Sequence, residues 1–298
     1  MRFVSFPGPA GTAVVGVLLG DRVADLSHVA CRPFLGDTPP TLQALLDDGL
    51  ARWVQRLADA RFDDDAVRPL ADVRLLAPLP RPGKVVGAAF NFTDALAERG
   101  MSAPKEPVIF VRSGATVIGP GEPILIPPDV GNVGYEGELA AVIGRRALRV
   151  SPDEAMRCVA GYTVHNDVSG SDLVKQDAGN FVRGKNLPAS APLGPALVSA
   201  DELPDPYGVG IRLDIDDRLL QNGSTRTMLF DIAALVSYIS YRMPLEPGDV
   251  IATGTPAGVA AMHTPAAWLM PGATVTVELE GLGRLSNPVH TGVPFLER

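Results

Sequence analysis

Cysteine is nearly absent from this chain of 298 residues, which has only Cys31 and Cys158. The two lie far apart in the sequence, so they offer neither the spacing of a zinc site nor a dense disulfide framework. No stretch approaches the roughly 20 uninterrupted apolar residues of a membrane-spanning helix. The N-terminus also lacks the apolar segment of an export signal, because a Pro-Gly-Pro break comes early. We therefore expect a reduced, cytoplasmic protein.

Positive charge is also scarce. The chain has 26 Lys and Arg against 34 Asp and Glu, a formal charge of −8 at pH 7, which opposes broad attraction to nucleic acid or to an anionic membrane. There is no Gly-x-Gly-x-x-Gly after a predicted strand and no Walker phosphate loop, so nothing supports a nucleotide enzyme. With 46% hydrophobic residues, the composition is that of a globular protein. A small anionic substrate would need a local positive centre, such as a metal ion.

The predicted elements divide the chain into two parts. Residues 1–30 have the pattern of short strands, and residues 41–59 that of a helix interrupted near Gly49, with Thr41 as its N-cap. The Pro-rich segment 76–83 favours extended backbone over helix. We therefore predict a small N-terminal α+β domain at 1–78 and a larger domain at 79–298.

The larger domain is predicted to be mainly β. Its predicted strands are 84–89, 108–112, 124–126, 136–143, 161–165, 210–215, 249–253 and 274–279, and its predicted helices are 93–99, 152–157 and 231–241. Many short strands with Gly and Pro turns favour a closed or double-layered β architecture over an alternating βαβ sheet. The fold class predicted for the whole chain is α+β, mainly β.

Two glutamates one residue apart stand in an apolar segment, Tyr-Glu-Gly-Glu-Leu-Ala-Ala-Val-Ile-Gly (135–144). Strand side chains alternate between faces, so Glu136 and Glu138 project the same way. Two like charges at so short a distance are costly unless a proton or a cation neutralises them. Paired oxygen ligands suit a hard divalent metal. Asp167, after another apolar strand, would complete a three-carboxylate set. The alternatives are a solvated strand edge for the pair and a turn residue for Asp167.

Several segments in one order resemble the fumarylacetoacetate hydrolase family. They are Asn-Phe-Thr-Asp (91–94), Ile-Gly-Pro-Gly-Glu-Pro (118–123), Tyr-Glu-Gly-Glu-Leu-Ala-Ala-Val-Ile-Gly (135–144), Ala-Gly-Tyr-Thr-Val-His-Asn-Asp-Val-Ser (160–169), Arg-Gly-Lys (183–185) and Leu-Glu-Pro-Gly-Asp-Val-Ile-Ala-Thr-Gly-Thr-Pro-Ala-Gly-Val (245–259). The resemblance covers residues 79–290 and is weaker for 1–78. It implies a mixed β-sandwich roll catalytic domain, a homodimer, and Mg²⁺ or Mn²⁺ held by Glu136, Glu138 and Asp167.

The resemblance also implies a chemistry. Three carboxylates leave about three positions of an octahedral Mg²⁺ open, and a 2-oxo acid can fill two of them with a carboxylate oxygen and the neighbouring keto oxygen. Such chelation stabilises an enolate. Lys185 is the candidate catalytic cation beside it. Asn91, Gly254 and Thr255 are the candidate substrate contacts, the last two because backbone amides and a hydroxyl can bind a carboxylate. A strand-ending turn is the alternative for the Gly254 loop.

The chain departs from the family pattern at two positions. The C–C hydrolysing members usually carry a His-x-x-Glu dyad that activates water, but here Ala95 stands in place of the histidine while Glu98 remains. Ser171 replaces an arginine that would pair with substrate. Glu98 and His165 are therefore the candidate bases, His165 because it shares a strand face with Asp167. The alternative for His165 is a core histidine bonded to backbone.

These inferences predict a divalent-metal-dependent enzyme that acts on a 2-oxo acid or 1,3-dicarbonyl, acylpyruvate-like substrate through a metal-bound enolate. C–C bond hydrolysis is the first expectation. Because Ala95 replaces the dyad histidine, a decarboxylase, an isomerase or tautomerase, or a ring-forming enzyme on the same site is the alternative. A non-catalytic protein that binds a metal and a small acid is a further alternative.

Overall fold

Strands dominate the computed structural model, which describes residues 1–8 and 11–296. The strands, in chain order, are β1 (Arg2–Pro7), β2 (Ala13–Leu19), β3 (Arg22–Asp25), β4 (Val67–Pro69), β5 (Lys84–Ala89), β6 (Val108–Ser113), β7 (Val117–Ile118), β8 (Ile124–Ile126), β9 (Val133–Gly134), β10 (Gly137–Ile143), β11 (Val159–Asn166), β12 (Ser169–Gly170), β13 (Ala191–Ser199), β14 (Gly210–Ile215), β15 (Arg218–Ser224), β16 (Val250–Ala252), β17 (Thr274–Leu279) and β18 (Gly283–Thr291). The helices are α1 (Arg32–Leu35), α2 (Leu42–Asp47), α3 (Leu50–Ala58), α4 (Thr93–Glu98), α5 (Pro152–Ala155), α6 (Ser171–Gln176) and α7 (Ile232–Ser240).

The strands form two large mixed sheets. The first has the order β4-β3-β2-β1-β13-β11-β10-β16-β5-β6, with β7 paired to β13, and the second has the order β15-β14-β17-β18-β8. Most neighbours are antiparallel, while β16 with β5, β18 with β8 and β13 with β7 are parallel. The short strands β9 and β12 pair with each other. The predicted α+β, mainly β fold class is confirmed.

Strand β10 lies at the centre of the molecule and is buried on both faces. Leu139 belongs to the core between the two sheets, and Ala140 to a second core that contains Trp53 of α3. The glycine between the two glutamates is explained by this packing, because a Cβ on Gly137 would come within 3.1 Å of Val277 on the second sheet. The apolar run after Glu138 is thus a strand between two cores.

The N-terminal segment continues the first sheet. Strand β1 pairs with β13 through Arg2 and Val198, and helices α2 and α3 cover the outer face of the sheet with residues of the second core. Thr41 caps α2 as predicted, accepting a hydrogen bond from Ala44 N at 3.2 Å. Gly49 separates α2 from α3 with a φ of 94°. The domain boundary predicted near residue 78 stays a prediction; the first sheet contains strands from both sides of it, because β1 pairs with β13.

Some strands of the structure were not predicted from the sequence patterns. Strand β13 was not predicted because it contains Pro192 and Pro195, and proline within a run argues against a central strand. Its pairing with β11 is interrupted between Tyr162 and Val164, and Pro195 lies opposite that interruption. Among the described residues, no helix has the length and apolar character needed to cross a membrane.

Candidate metal centre and substrate pocket

The three predicted carboxylates converge where β10 begins and β11 ends. Antiparallel pairing puts Gly137 opposite Asn166, and Asp167 N donates to Glu136 O at 2.9 Å. Oxygen atoms of Glu136, Glu138 and Asp167 lie within 4.8 Å of one another. Glu138 and Asp167 are buried, whereas Glu136 is partly exposed. The structure therefore forms the cluster that the sequence predicted.

Two cations hold this cluster. Lys185 Nζ donates to Glu136 Oε2 at 2.7 Å and to Asp167 Oδ2 at 2.7 Å. Arg112 Nη1 donates to the other oxygen of Asp167, and Arg112 Nη2 donates to Ser190 O at 2.7 Å. Two positive groups against three carboxylates leave one negative charge on these side chains when all are ionised. A buried negative charge of this kind favours a bound cation.

Arg112 was missed at the level of sequence. It lies near the end of β6, where buried and exposed side chains alternate, so that Phe110 and Arg112 both point inward. Burial lowers the pKa of Arg112 to about 9, while Glu138 and Glu136 oppose that change. The guanidinium thus stays charged at neutral pH. The signal was available: a single arginine on the inward face of an apolar strand requires an anionic partner.

Local backbone geometry positions Lys185. Lys185 N donates to Phe181 O, and Gly170 N donates to Gly184 O at 2.8 Å. A Cβ on Gly184 would come within 2.7 Å of Gly170 O, so the residue before the lysine must be glycine for this approach. Lys185 is itself buried. The Arg-Gly-Lys segment therefore packs closely against strand β12, and this contact fixes an ammonium group among carboxylates.

The raised pKa of Glu138 indicates that the cluster can accept a further positive charge. Burial raises the pKa of Glu138 to about 8, and Glu136 adds to this shift, whereas Lys185, the Gly254 amide and Arg112 oppose it. The carboxyl group therefore retains a proton at neutral pH unless another positive charge is supplied. All three donors are carboxylate oxygens, the ligand type that Mg²⁺ and Mn²⁺ prefer. The residues fit such an ion.

The loop after β16 braces the ligand strand. Gly254 N donates to Glu138 Oε2 at 2.9 Å, and Thr255 Oγ1 donates to Gly137 O at 2.9 Å. Gln221, which the sequence patterns missed, accepts from Gly137 N and donates to Thr255 Oγ1. Gly254 and Thr255 also line the pocket described below. Gly254 N and Thr255 Oγ1 are already bonded to β10. Their role as substrate contacts stays a prediction.

Asn91 is a structural clamp in this structure. Its Nδ2 donates to Phe230 O at 3.0 Å and to Thr253 O at 2.8 Å, and its Oδ1 accepts from Phe230 N at 2.9 Å. Both amide hydrogens are therefore used. Asn91 is buried and is not among the residues that line the pocket. These bonds oppose its predicted role as a substrate contact and give it the task of joining three chain segments.

His165 has the contacts of a core histidine. It is fully buried, and its Nδ1 lies 2.8 Å from Pro192 O. Burial, with Arg112 as a further cause, lowers the pKa of His165 to about 3, so the ring is neutral. It is not among the pocket-lining residues. The alternative weighed from the sequence, a histidine bonded to backbone, therefore describes its position better than a catalytic base does.

A pocket of about 260 Å³ opens onto the centre. Glu136 and Lys185 contribute to it from the carboxylate cluster. Most of the other lining side chains are apolar or aromatic: Ala88, Ala89, Phe90, Ala95, Phe110, Val174, Phe181, Val259, Ala260, Ala261, Met262 and Trp268. A largely apolar cleft with a few convergent polar groups is the usual form of a small-molecule site.

Ala95 and Glu98 of α4 differ in their relation to the pocket. Ala95 lines it, at the position where the hydrolytic pattern has histidine. Glu98 is exposed, is not among the lining residues, and accepts from Gly258 N at 3.0 and 3.2 Å. Asp94 makes a parallel link by accepting from Ala257 N at 3.3 Å. In this conformation Glu98 ties α4 to the loop after β16.

The profile described as "Fumarylacetoacetate (FAA) hydrolase C-terminal" matches residues 84–290. The chain belongs to the fumarylacetoacetate hydrolase family. The family resemblance read from the sequence motifs is thereby confirmed. A curated relative, the oxaloacetate tautomerase fahd2, mitochondrial, of Xenopus laevis, is 40% identical over 290 residues, covering 97% of this chain and 89% of that protein.

Solved structures of the family include other reactions. A 5-carboxymethyl-2-hydroxymuconate delta-isomerase from Mycobacterium smegmatis is 33% identical with a TM-score of 0.76, covering 98% of this chain and 100% of that one. A maleylpyruvate hydrolase from Sphingobium sp. SYK-6, in complex with manganese (II) ion and pyruvate, is 27% identical with a TM-score of 0.75 and the same coverage. Membership of the fumarylacetoacetate hydrolase family thus covers tautomerase, isomerase and hydrolase reactions.

Proposed function

We propose that this protein is a divalent-metal-dependent enzyme that interconverts the keto and enol forms of a 2-oxo acid. The observation that carries the proposal is the pairing of a carboxylate cluster with a pocket wall that offers no dyad base. Ala95 lines the pocket, and Glu98 is bonded to Gly258 N instead of lining it. Tautomerisation needs charge stabilisation at the keto oxygen and a group that moves one proton between that oxygen and C3, a role that Lys185 can fill from the pocket, but it needs no water activated as a nucleophile. The similarity to an oxaloacetate tautomerase supports the same choice.

The metal ion would be held by Glu136, Glu138 and Asp167. When bound there, Mg²⁺ or Mn²⁺ supplies a Lewis acid for the carboxylate and keto oxygens of a 2-oxo acid. Lys185 lines the pocket beside these ligands and adds a second positive charge near the keto oxygen. Its bonds to Glu136 and Asp167 fix its position before substrate enters.

Other residues orient the carboxylate ligands and limit the entry of water into the pocket. Arg112 holds one oxygen of Asp167, leaving the other to Lys185, which sets the orientation of the carboxylate. Gly254 N similarly fixes one oxygen of Glu138. The aromatic and aliphatic walls limit the water that reaches the substrate carbon, which favours proton transfer over hydrolysis.

The test uses oxaloacetate in its enol form. Ultraviolet absorbance should show ketonisation that depends on added Mg²⁺ or Mn²⁺ and stops with chelator, and proton magnetic resonance should show faster deuterium exchange at C3. Pyruvate should not accumulate above the uncatalysed rate. Metal-dependent accumulation of pyruvate would instead identify a decarboxylase. If oxaloacetate, acetylpyruvate and the longer acylpyruvates all show neither faster exchange nor faster ketonisation, the proposal is wrong.

C–C hydrolysis of an acylpyruvate is the second candidate, and one observation favours it. Glu98, one half of the hydrolytic dyad, is retained at the end of α4 next to the pocket. Cleavage of acetylpyruvate to acetate and pyruvate by the unaltered protein would establish this candidate. We expect instead that only Ala95→His cleaves it measurably, since a positioned base contributes about 10²- to 10⁴-fold.

A further inference from the structure

One charged side chain in the pocket has no hydrogen-bond or ion-pair partner among the described residues. Of the described residues that line the pocket, three carry charge: Glu136, Lys185 and Arg99. Lys185 is bonded to Glu136 and Asp167. No described residue forms a side-chain hydrogen bond or an ion pair with the guanidinium of Arg99, which follows α4 and is half-buried. Its five N–H donors are therefore available to a ligand.

Arg99 is held in place by an aromatic ring. Its guanidinium carbon lies 5.9 Å from the centroid of Phe90, within the range of a cation–π contact. Phe90 has a φ of 59°, a left-handed conformation that bulky residues rarely adopt. A strained residue of this kind is a frequent feature of ligand sites. Phe90 thus combines an unusual backbone conformation with a ring that lines the pocket and contacts Arg99.

Three phenylalanine rings connect the two cations of the pocket. The centroids of Phe90 and Phe181 are 6.5 Å apart, and those of Phe181 and Phe110 are 5.0 Å apart. Lys185 Nζ lies 5.0 Å from the centroid of Phe110. The row Phe90, Phe181 and Phe110 thus has the ammonium of the metal centre at one end and the free guanidinium at the other.

We propose that Arg99 binds the distal carboxylate of the substrate, so that the enzyme selects 2-oxo dicarboxylic acids over 2-oxo monoacids. This inference rests on the proposed function, because it assigns the 2-oxo end of the substrate to the carboxylate cluster and Lys185. The carbon chain then lies along the aromatic row. Arginine binds a carboxylate through two parallel hydrogen bonds, and a monoacid would leave those donors in a largely apolar pocket without a partner.

Ser171, another pocket-lining residue, also supports the assignment. It stands where the family pattern has an arginine for substrate pairing. A serine hydroxyl supplies no charge there. Arg99 is accordingly the pocket-lining cation, among the described residues, that is not already bonded to the carboxylate cluster.

Binding measurements test the inference without requiring turnover. Calorimetry in MnCl₂ compares acids that differ only in a distal carboxylate or methyl group: 2-oxoglutarate with 2-oxopentanoate, and 2-oxoadipate with 2-oxohexanoate. In at least one pair we expect the diacid to bind about 10- to 100-fold more tightly, the effect of a hydrogen bond between charged groups. Arg99→Met should remove most of that preference, and Arg99→Lys should keep part of it. Monoacid affinity should change less than about twofold.

Arg56→Met is the matched control. Arg56 is exposed and lies 5.2 Å from the ring of Trp53, away from the pocket. The variant loses the same type of stacked guanidinium, and the full preference for the diacid should remain. Circular dichroism and thermal unfolding of each variant confirm that the fold is retained.

The outcomes separate this inference from the proposed function. If the preference depends on Arg99 while no tautomerisation is found, the proposed function alone fails. If oxaloacetate is tautomerised but neither pair shows a preference that Arg99→Met removes, the assignment of Arg99 is wrong. An equal loss of monoacid and diacid affinity in Arg99→Met also overturns it, as does the absence of binding by all four acids in the presence of Mn²⁺.

Discussion

The carboxylate centre and the pocket wall formed by α4 differ in whether their charged side chains have bonding partners. At the centre, Asp167 is bonded to both Arg112 and Lys185, and Glu138 to Gly254 N. At the wall, Arg99 has no described ion-pair partner, and Ala95 presents only a methyl group to the pocket. The centre is fixed from several strands and loops at once, whereas the wall depends on one short helix and the loop it contacts.

This difference explains how one centre can serve several reactions. Relatives named as a tautomerase, an isomerase and a hydrolase share the family with this chain. A buried cluster in which each carboxylate has its own partner tolerates few changes, because losing one partner leaves an uncompensated charge. The wall is bonded to the loop after β16 through Asp94 and Glu98, but its lining side chains are mostly apolar and can change at little structural cost. We therefore expect substitutions in the wall to change the reaction or the substrate more readily than substitutions in the centre.

The largest expected effect comes from Glu138→Gln at the centre. The substitution keeps the shape and an oxygen that can accept from Gly254 N, but it removes a carboxylate that we propose as a metal ligand. We expect metal-dependent tautomerisation to fall about 10³-fold or more, since a bound metal contributes several kcal/mol. In the absence of metal, the free energy of unfolding at pH 8 should not decrease, because a buried charge is lost. A parallel loss of folding and activity would contradict a ligand role.

Arg112→Met should cost the most stability. It leaves the buried Asp167 with Lys185 as its remaining cation, and breaking a buried ion pair costs about 3 kcal/mol or more. Urea unfolding of the metal-free protein measures the change. Arg146→Met is the matched control, because Arg146 pairs with Glu246 on the surface at 3.0 Å and such pairs contribute little. Equal changes in the two variants would show that the centre does not depend on Arg112.

Asn91→Ala distinguishes a clamp from a substrate contact. The variant loses bonds to the backbone at Phe230 and Thr253, and leaving buried backbone groups without partners costs about 2 kcal/mol. We expect a lower thermal midpoint and a KM within about twofold of the unaltered protein at temperatures where both are folded. A large rise in KM with unchanged stability would restore the role predicted from the sequence.

The smallest expected effect, counted per pH unit, is the pH dependence of metal binding. Because burial raises the pKa of Glu138 to about 8, the metal-free protein holds a proton there below that pH, and a metal must displace it. Affinity for Mn²⁺ should rise up to about tenfold per unit between pH 6 and 8 and then level off. The same shift destabilises the metal-free fold as pH rises from the ordinary Glu pKa towards 8. Calorimetry in buffers of different ionisation enthalpy should detect about one released proton. A flat profile without proton release would contradict this account.

Local patterns predicted several elements well. The strands predicted at 84–89, 124–126, 210–215 and 274–279 have those bounds in the structure, because alternation and nearby turn residues are local properties. Strand β13 was missed because its prolines oppose a strand locally, although neighbours far away in sequence pair with it. The same limit hid the partner of Arg112, because Asp167 is 55 residues away.

The site residues were predicted from two kinds of evidence, strand periodicity and family resemblance. Glu136 and Glu138 followed from the two-residue period of a strand, which fixes the face of each side chain whatever the fold. Asp167 was predicted from its place after an apolar strand, and Lys185 from the family resemblance; the structure brings both to the cluster. His165 also follows the strand period, but its contact with Pro192 places the ring in the core instead of the pocket.

The sequence by itself determined the mainly β class, the paired glutamates and the absence of the dyad histidine, because each is read from residues that are neighbours in the chain. Tertiary structure decided which charges meet. It brought Arg112 and Lys185 to the carboxylates, turned Asn91 into a clamp, and left Arg99 free at the end of an aromatic row. The reason is that ion pairing and burial depend on distances between segments remote in sequence, which local periodicity does not encode.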